Sequence, residues 1–97
     1  MTTVNELTQK YYSSIDFKNL RDETKKQYQY FLGVMLDTDI DNKLIAHMNY
    51  RDVSSKRAKL AYDIWCDRGI SFANHIMSAS RILFNYALRM EHVFTTY

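Results

Sequence analysis

Proline is absent from this chain, and glycine occurs only twice in 97 residues, at Gly33 and Gly69. A β-sandwich or barrel reverses direction every few residues, and Gly and Pro serve most of those turns. With so few of them the backbone has to turn at helix ends and in short connectors, so the expected fold class is all-α. Hydrophobic residues at 46% and charged residues at 25% suit one small globular domain over residues 1–97 with a modest core. No apolar run is long enough for a bilayer, and the chain start lacks the apolar region of a signal peptide, so a cytoplasmic protein without a membrane partner is expected. Cys66 is the lone cysteine, which leaves no disulfide framework and no zinc spacing.

Four segments carry an apolar stripe at helical spacing. The first covers about residues 3–14, with Thr3 as its cap, Glu6 three residues later, and Val4, Leu7 and Tyr11 on one side. Ser13 to Asn19 reads as a connector. The second helix covers 22–36, with Tyr28, Phe31, Leu32, Met35 and Leu36 inward and Glu23, Lys26, Gln27 and Tyr30 outward. Gly33 inside it costs about 1 kcal/mol relative to Ala unless a neighbouring helix needs close approach. Leu44, Ile45 and Met48 form a buried connector to a third helix over 50–68, capped by Asn49, with Val53, Leu60, Ala61, Ile64 and Trp65 inward. Gly69 stops that helix, Ser71 caps a fourth over 71–89, and Phe94 to Tyr97 reads as a frayed end. Short links then predict a compact four-helix bundle centred on Trp65, Phe84, Tyr28 and Leu83.

The fourth helix has two faces. Ala73, Ile76, Ser80, Leu83, Phe84 and Ala87 share one side, and Asn74, Ser78, Arg81, Asn85 and Arg89 share the other. From Ser71 to Arg89 there is no carboxylate. Ordinary solvated faces mix both signs of charge. A stripe of Asn, Ser and Arg instead suits nucleic acid, where such side chains reach phosphates and base edges. Lys56, Arg57 and Lys59 form a local basic cluster on the third helix, soon offset by Asp63 and Asp67.

Catalytic and metal chemistry find little support. His47, His75 and His92 are scattered without helix-spaced carboxylate or cysteine partners, no glycine-rich phosphate loop exists, and Tyr97 stands out as a nucleophile only by being last. Asp37, Asp39 and Asp41 have calcium-loop spacing, but the sixth and twelfth positions of such a loop are Asn42 and Met48 instead of Gly and Glu. An acidic surface loop is the expectation there, with no metal and no cofactor.

The pattern Thr24-x-x-x-Tyr28-x-x-x-Leu32, then Ile45-x-x-Met48-x-x-x-Asp52-Val53, then Ala73-Asn74 and Phe84-x-x-Ala87, ending at Glu91-His92-Val93, resembles the core-binding domain of tyrosine recombinases, the phage integrase family. The resemblance covers about residues 3–93. It implies a SAM-like helical domain that forms one half of a C-shaped clamp on duplex DNA. A catalytic domain with the arginines, histidine and nucleophilic tyrosine would follow Val93, so this chain alone is not expected to be an enzyme. By the same resemblance, Thr24, Lys25, Lys26 and Gln27 at the second helix start and Asn74, Ser78 and Arg81 on the fourth helix approach the major groove. Two residues depart from the pattern: Glu91 stands where the family commonly has a helix-ending glycine, and Glu23 is an awkward neighbour for phosphates.

The expected function is therefore DNA binding within a site-specific recombinase of a bacterial cell, prophage or mobile element. Lys25, Lys26, Lys56 and Arg57 would hold phosphates, and Gln27, Asn74 and Arg81 would read bases. Duplex DNA, the catalytic domain and other recombinase protomers are the expected partners. The alternative is a helical protein–protein interaction module. The carboxylate-free stripe favours DNA, and the net charge of +2 counts mildly against it.

Overall fold

Thr3 opens the first helix in the way its context predicts. Its hydroxyl accepts the Glu6 backbone N–H at 3.1 Å and donates to the Glu6 carboxylate at 3.3 Å, starting α1 (Val4–Tyr12). The computed structural model describes residues 2–96, and side chains for residues 2–91. The expected connector 13–19 holds a further helical turn, α2 (Ile15–Lys18), because Ser14 caps it by accepting the Phe17 N–H at 3.3 Å. Tyr11 then holds α1, α2 and the last helix together, with ring centroids 5.5 Å from Phe17 and 5.3 Å from Tyr86.

The next helix, α3 (Asp22–Leu36), has the expected bounds. Leu32 and Met35 are buried, Tyr28, Phe31 and Leu36 are half-buried, and Glu23, Lys26, Gln27 and Tyr30 are exposed. After it the acidic loop contains a hairpin, β1 (Asp39–Ile40) against β2 (Lys43–Leu44), in register Asp39↔Leu44 and Ile40↔Lys43. Asp41 and Asn42 take φ of 55° and 65°, the left-handed pair that a two-residue hairpin loop requires and that Asp and Asn tolerate. Among the described residues no group of three His, Cys, Asp or Glu side chains converges as a metal site.

The third expected helix is split. Asn49 does act as a cap, accepting the Arg51 N–H at 3.0 Å, but it starts only a 3₁₀ turn over Tyr50–Asp52. Val53 turns the chain away from helical geometry at ψ 84°, and Ser54 caps a new helix, α4 (Ser55–Cys66), by accepting the Arg57 N–H at 3.2 Å. Two capping residues five positions apart, with a stiff β-branched residue between them, give two starts instead of one. The earlier start is held by the N-terminus: Val4 N–H donates to the Met48 carbonyl at 2.8 Å and Tyr50 N–H to the Thr2 carbonyl at 3.1 Å. On α4, Ala61 and Trp65 are buried, but Leu60 and Ile64 are exposed, contrary to expectation. Each precedes a buried residue and so lies about 100° round the helix from the face that packs.

Trp65 is the anchor of α4. Its indole Nε1 donates to the Thr38 hydroxyl at 2.8 Å, and that hydroxyl donates to the Val34 carbonyl at 2.8 Å. One buried hydroxyl thus fixes α4 to the end of α3. Gly69, at φ 125°, then turns the chain into α5 (Ile70–Thr96). That helix begins before Ser71, so Ser71 is not its cap; the Ser71 carbonyl instead accepts the His75 Nδ1–H at 2.7 Å. It also runs past Arg89 through the expected frayed end as far as Thr96, while Tyr97 lies outside the described residues. Its inner face buries Ala73, Ile76, Ala79, Ser80, Leu83, Tyr86 and Ala87. Phe84 and Tyr28, expected at the centre, are half-buried at its margin. Five α-helices among the described residues therefore form a slab of 42 × 30 × 17 Å, and no described helix is long and apolar enough to cross a membrane.

The two glycines separate backbone conformation from packing, since a Cβ at either would meet nothing within 4 Å. Gly33→Ala should stabilise the protein by about 0.5–1 kcal/mol, because it removes a helix-interior glycine. Gly69→Ala should cost about 1–3 kcal/mol, because φ 125° strains any L side chain. Urea denaturation of both variants checks this, and equal effects would contradict it. Trp65→Ala should cost about 3–5 kcal/mol as a truncated core aromatic. Thr38→Val should cost about 1–3 kcal/mol by leaving the indole N–H without a partner. Unchanged melting of either variant would remove this bond from the fold's supports.

Candidate nucleic-acid interface

α4 and α5 pack together deep in the fold and part toward the surface, leaving an open cleft of about 780 Å³. Its floor is apolar, with Val53, Trp65, Met77 and Phe84 among its lining. Along one wall stand Asn74, Ser78, Arg81 and Asn85, four of the five residues of the exposed α5 stripe. From α4 come Arg57, Lys59 and Tyr62. The lining holds three cations and no carboxylate. α3 takes the opposite flank of α5, where Phe31 stacks on His75 at 5.3 Å and 10°.

Hydrogen bonds set some of these side chains in advance. The Tyr62 hydroxyl donates to Asn74 Oδ1 at 2.8 Å, across the cleft from α4 to α5. Burial first, and the neighbouring Cys66 second, push the Tyr62 phenol above its usual value, so it remains a donor at neutral pH. Asn74 presents its NH₂ group to acceptors such as phosphate or guanine N7 and O6, while its oxygen, already accepting from Tyr62, keeps a second lone pair. Arg57 Nη1 donates to the Asp52 carbonyl at 2.6 Å, and its Nε lies 3.8 Å from Asp41 Oδ2. The turn before α4 and the hairpin tip thereby aim this guanidinium. Arg81 and Lys59 are exposed and make no ion pair among the described residues.

The other expected contacts stand apart from the cleft. Lys56 is exposed but does not line it. Thr24, Lys25, Lys26 and Gln27 occupy the first two turns of α3; Lys26 and Gln27 are exposed, Thr24 and Lys25 half-buried. Lys25 Nζ lies 3.9 Å from Asp22 Oδ1, a long surface pair of small energetic weight. Three contributors escaped the choice of site residues made from sequence: Lys59, Tyr62 and Asn85. Asn85 was visible in the stripe itself, whereas only the α4–α5 packing brings Lys59 and Tyr62 to it.

The charges at the far end of α5 are spoken for. Arg89 Nη2 binds Asp16 Oδ2 at 2.8 Å and so joins α2 instead of the cleft. Glu91, where the resemblance implies a helix-ending glycine, stays helical; it accepts the Tyr50 hydroxyl and pairs with Arg51 Nη2 at 2.7 Å. The Tyr50 hydrogen bond, opposed by desolvation and aided by Arg51, holds the Glu91 carboxyl below the usual range. A depressed folded value means that Glu91 stabilises the fold above the ordinary carboxylate range, and that this contribution is lost as pH falls through the lowered value. Glu91→Gln should therefore melt below wild type at pH 7, with the gap closing as acidification carries the pH through the lowered value. A gap independent of pH would show that the ionised form contributes nothing.

No protein-family model, no curated protein and no solved structure matches this chain.

Proposed function

We infer that the chain is a duplex-DNA-binding module whose contact surface is the α4–α5 cleft and the α5 stripe beside it. The observation that carries this is a cleft lined by Arg57, Lys59 and Arg81 without a single carboxylate, in a protein whose net charge is only +2. Cations concentrated on one face attract phosphates as a uniform sprinkling would not. Arg57 is held in place as a phosphate contact. Arg81, on the rim and unconstrained, can turn its fork to guanine or to the backbone. Asn74, held through its oxygen by Tyr62, presents its NH₂ group to phosphate or to a base-edge acceptor.

The motif resemblance adds the context. In this reading the bundle is the SAM-like core-binding domain of a tyrosine recombinase, and DNA cleavage belongs to a catalytic domain beyond Val93. The α3 start, with Lys26 and Gln27, would meet a neighbouring stretch of the same duplex. The apolar floor of the cleft supports a second reading, in which an acidic amphipathic helix of another protein lies in the groove.

Titrating the chain with duplex DNA across a salt series separates the two. Binding should fall linearly on a log–log plot, by about 0.9 per phosphate neutralised. Lys59→Ala and Arg81→Ala should each make that slope shallower by about one, while Lys10→Ala on α1 leaves it unchanged. Absence of salt-dependent binding, or slopes indifferent to Lys59 and Arg81, would overturn the assignment. Displacement of DNA by an acidic amphipathic peptide without any slope change in those variants would favour the second reading.

A further inference from the structure

On the other side of α4 lies a surface of opposite character. Leu60 and Ile64, 40% and 46% exposed, form an apolar ridge one helical turn apart. With the hairpin residue Ile40 they floor a shallow notch of about 490 Å³. Its remaining lining is four carboxylates: Asp63 on α4 and Asp67 just past its end, Asp39 and Asp41 on the hairpin. No cation lines it. Asp41 lies 3.8 Å from Arg57, and the other three form no ion pair among the described residues. Two large aliphatic side chains thus keep much of their surface in solvent between acids, on a helix whose buried positions are only Ala61 and Trp65.

We propose that this notch docks a basic amphipathic helix of a partner protein. The occupant follows from complementarity. Leu60 and Ile64 are spaced for the apolar ridge of a second helix, and carboxylates stand on both flanks of that ridge, on α4 and on the hairpin. An incoming helix with apolar residues at i and i+4 and Lys or Arg on either side meets floor and rim together. DNA is excluded by the sign of the charge. A metal ion is not the occupant, because no group of three His, Cys, Asp or Glu side chains among the described residues converges on one point. The notch and the cationic cleft use different faces of α4 and adjoin at the hairpin, where Ile40 lines both and Asp41 lies 3.8 Å from Arg57.

The test uses a synthetic peptide of Leu and Lys, about four turns long, with its leucines on one helical face, and a scrambled peptide of the same composition. Fluorescence anisotropy should show the intact chain binding the amphipathic peptide and not the scrambled one. Leu60→Ser with Ile64→Ser should weaken it about tenfold or more, as should Asp63→Asn with Asp67→Asn. Circular dichroism should show both variants folded, with the serine pair melting somewhat lower because Leu60 and Ile64 are partly covered, and the intact fold makes their binding data interpretable. Equal binding of the scrambled peptide would overturn the proposal, since charge alone would then suffice. Indifference to Leu60→Ser with Ile64→Ser would overturn it too. So would a wild-type dimer in sedimentation that this double variant abolishes, because the face would then meet a second copy of the chain.

Discussion

The fold depends on how closely other helices can approach α5. α1, α3 and α4 all pack on it, and its inner face offers Ala73, Ala79, Ser80 and Ala87 around the fully buried Ile76 and Leu83. Small residues let neighbouring backbones come near, and the two branched ones fill the space between. Ser80 adds no unpaired polar group, since its hydroxyl donates to the Ile76 carbonyl at 2.8 Å. With three neighbours placed, one strip of α5 remains uncovered. Asn74, Ser78, Arg81 and Asn85 occupy that strip, so the same geometry that builds the core decides which side chains can meet a ligand.

This is also why α5 was readable from sequence. Five turns of amphipathic helix repeat the pattern often enough that both faces follow from spacing alone. The bounds of α3 and the Thr3 cap were readable for a similar reason, each resting on contacts within a few residues. What failed was decided farther away. Asn49 and Ser54 are equally good caps, and the pairing of residues 2–4 with 48–50 confines the first to one turn. Leu60 and Ile64 are as apolar as Ala61 and Trp65, and only the Trp65–Thr38 bond shows which pair turns inward. The hairpin hid because Asp41-Asn42 is read as an acid-rich loop before it is read as a left-handed turn. In the cleft, Asn74, Ser78 and Arg81 came from one helix and were legible; Lys59 and Tyr62 required knowing that α4 lies alongside.

Preorganisation differs across the cleft in a way that bears on binding. Arg57 is tied to a carbonyl and a carboxylate, and Asn74 to Tyr62, so both have surrendered much of their side-chain freedom before any ligand arrives. Contacts they make therefore carry a smaller entropic penalty, of the order of 0.5–1.5 kcal/mol less per immobilised side chain. Lys59 and Arg81 have no such restraint. The fixed pair suits a constant feature such as the sugar–phosphate backbone, and the mobile pair can adapt to what varies along it.

A net charge of +2 conceals this arrangement, because α4 carries opposite signs on its two sides. A helix with its side chains is about 10–12 Å across. At physiological ionic strength the Debye length is about 8 Å, so Asp63 and Asp67, across α4, are largely screened from the cleft, whereas Asp41, 3.8 Å from Arg57, acts on it directly. At 0.01 M salt that length grows to about 30 Å, and the acids on the far side of α4 then act on the cleft as well as on the notch. Low salt thus strengthens the attraction of each cleft cation for DNA while extending the repulsion from the far side. The two surfaces are separated by α4 along most of their length and meet at the hairpin, where Ile40 lines both and Asp41 lies 3.8 Å from Arg57. The thickness of α4 thus isolates Asp63 and Asp67 from the cleft, while Asp41 tempers the charge at one end of it.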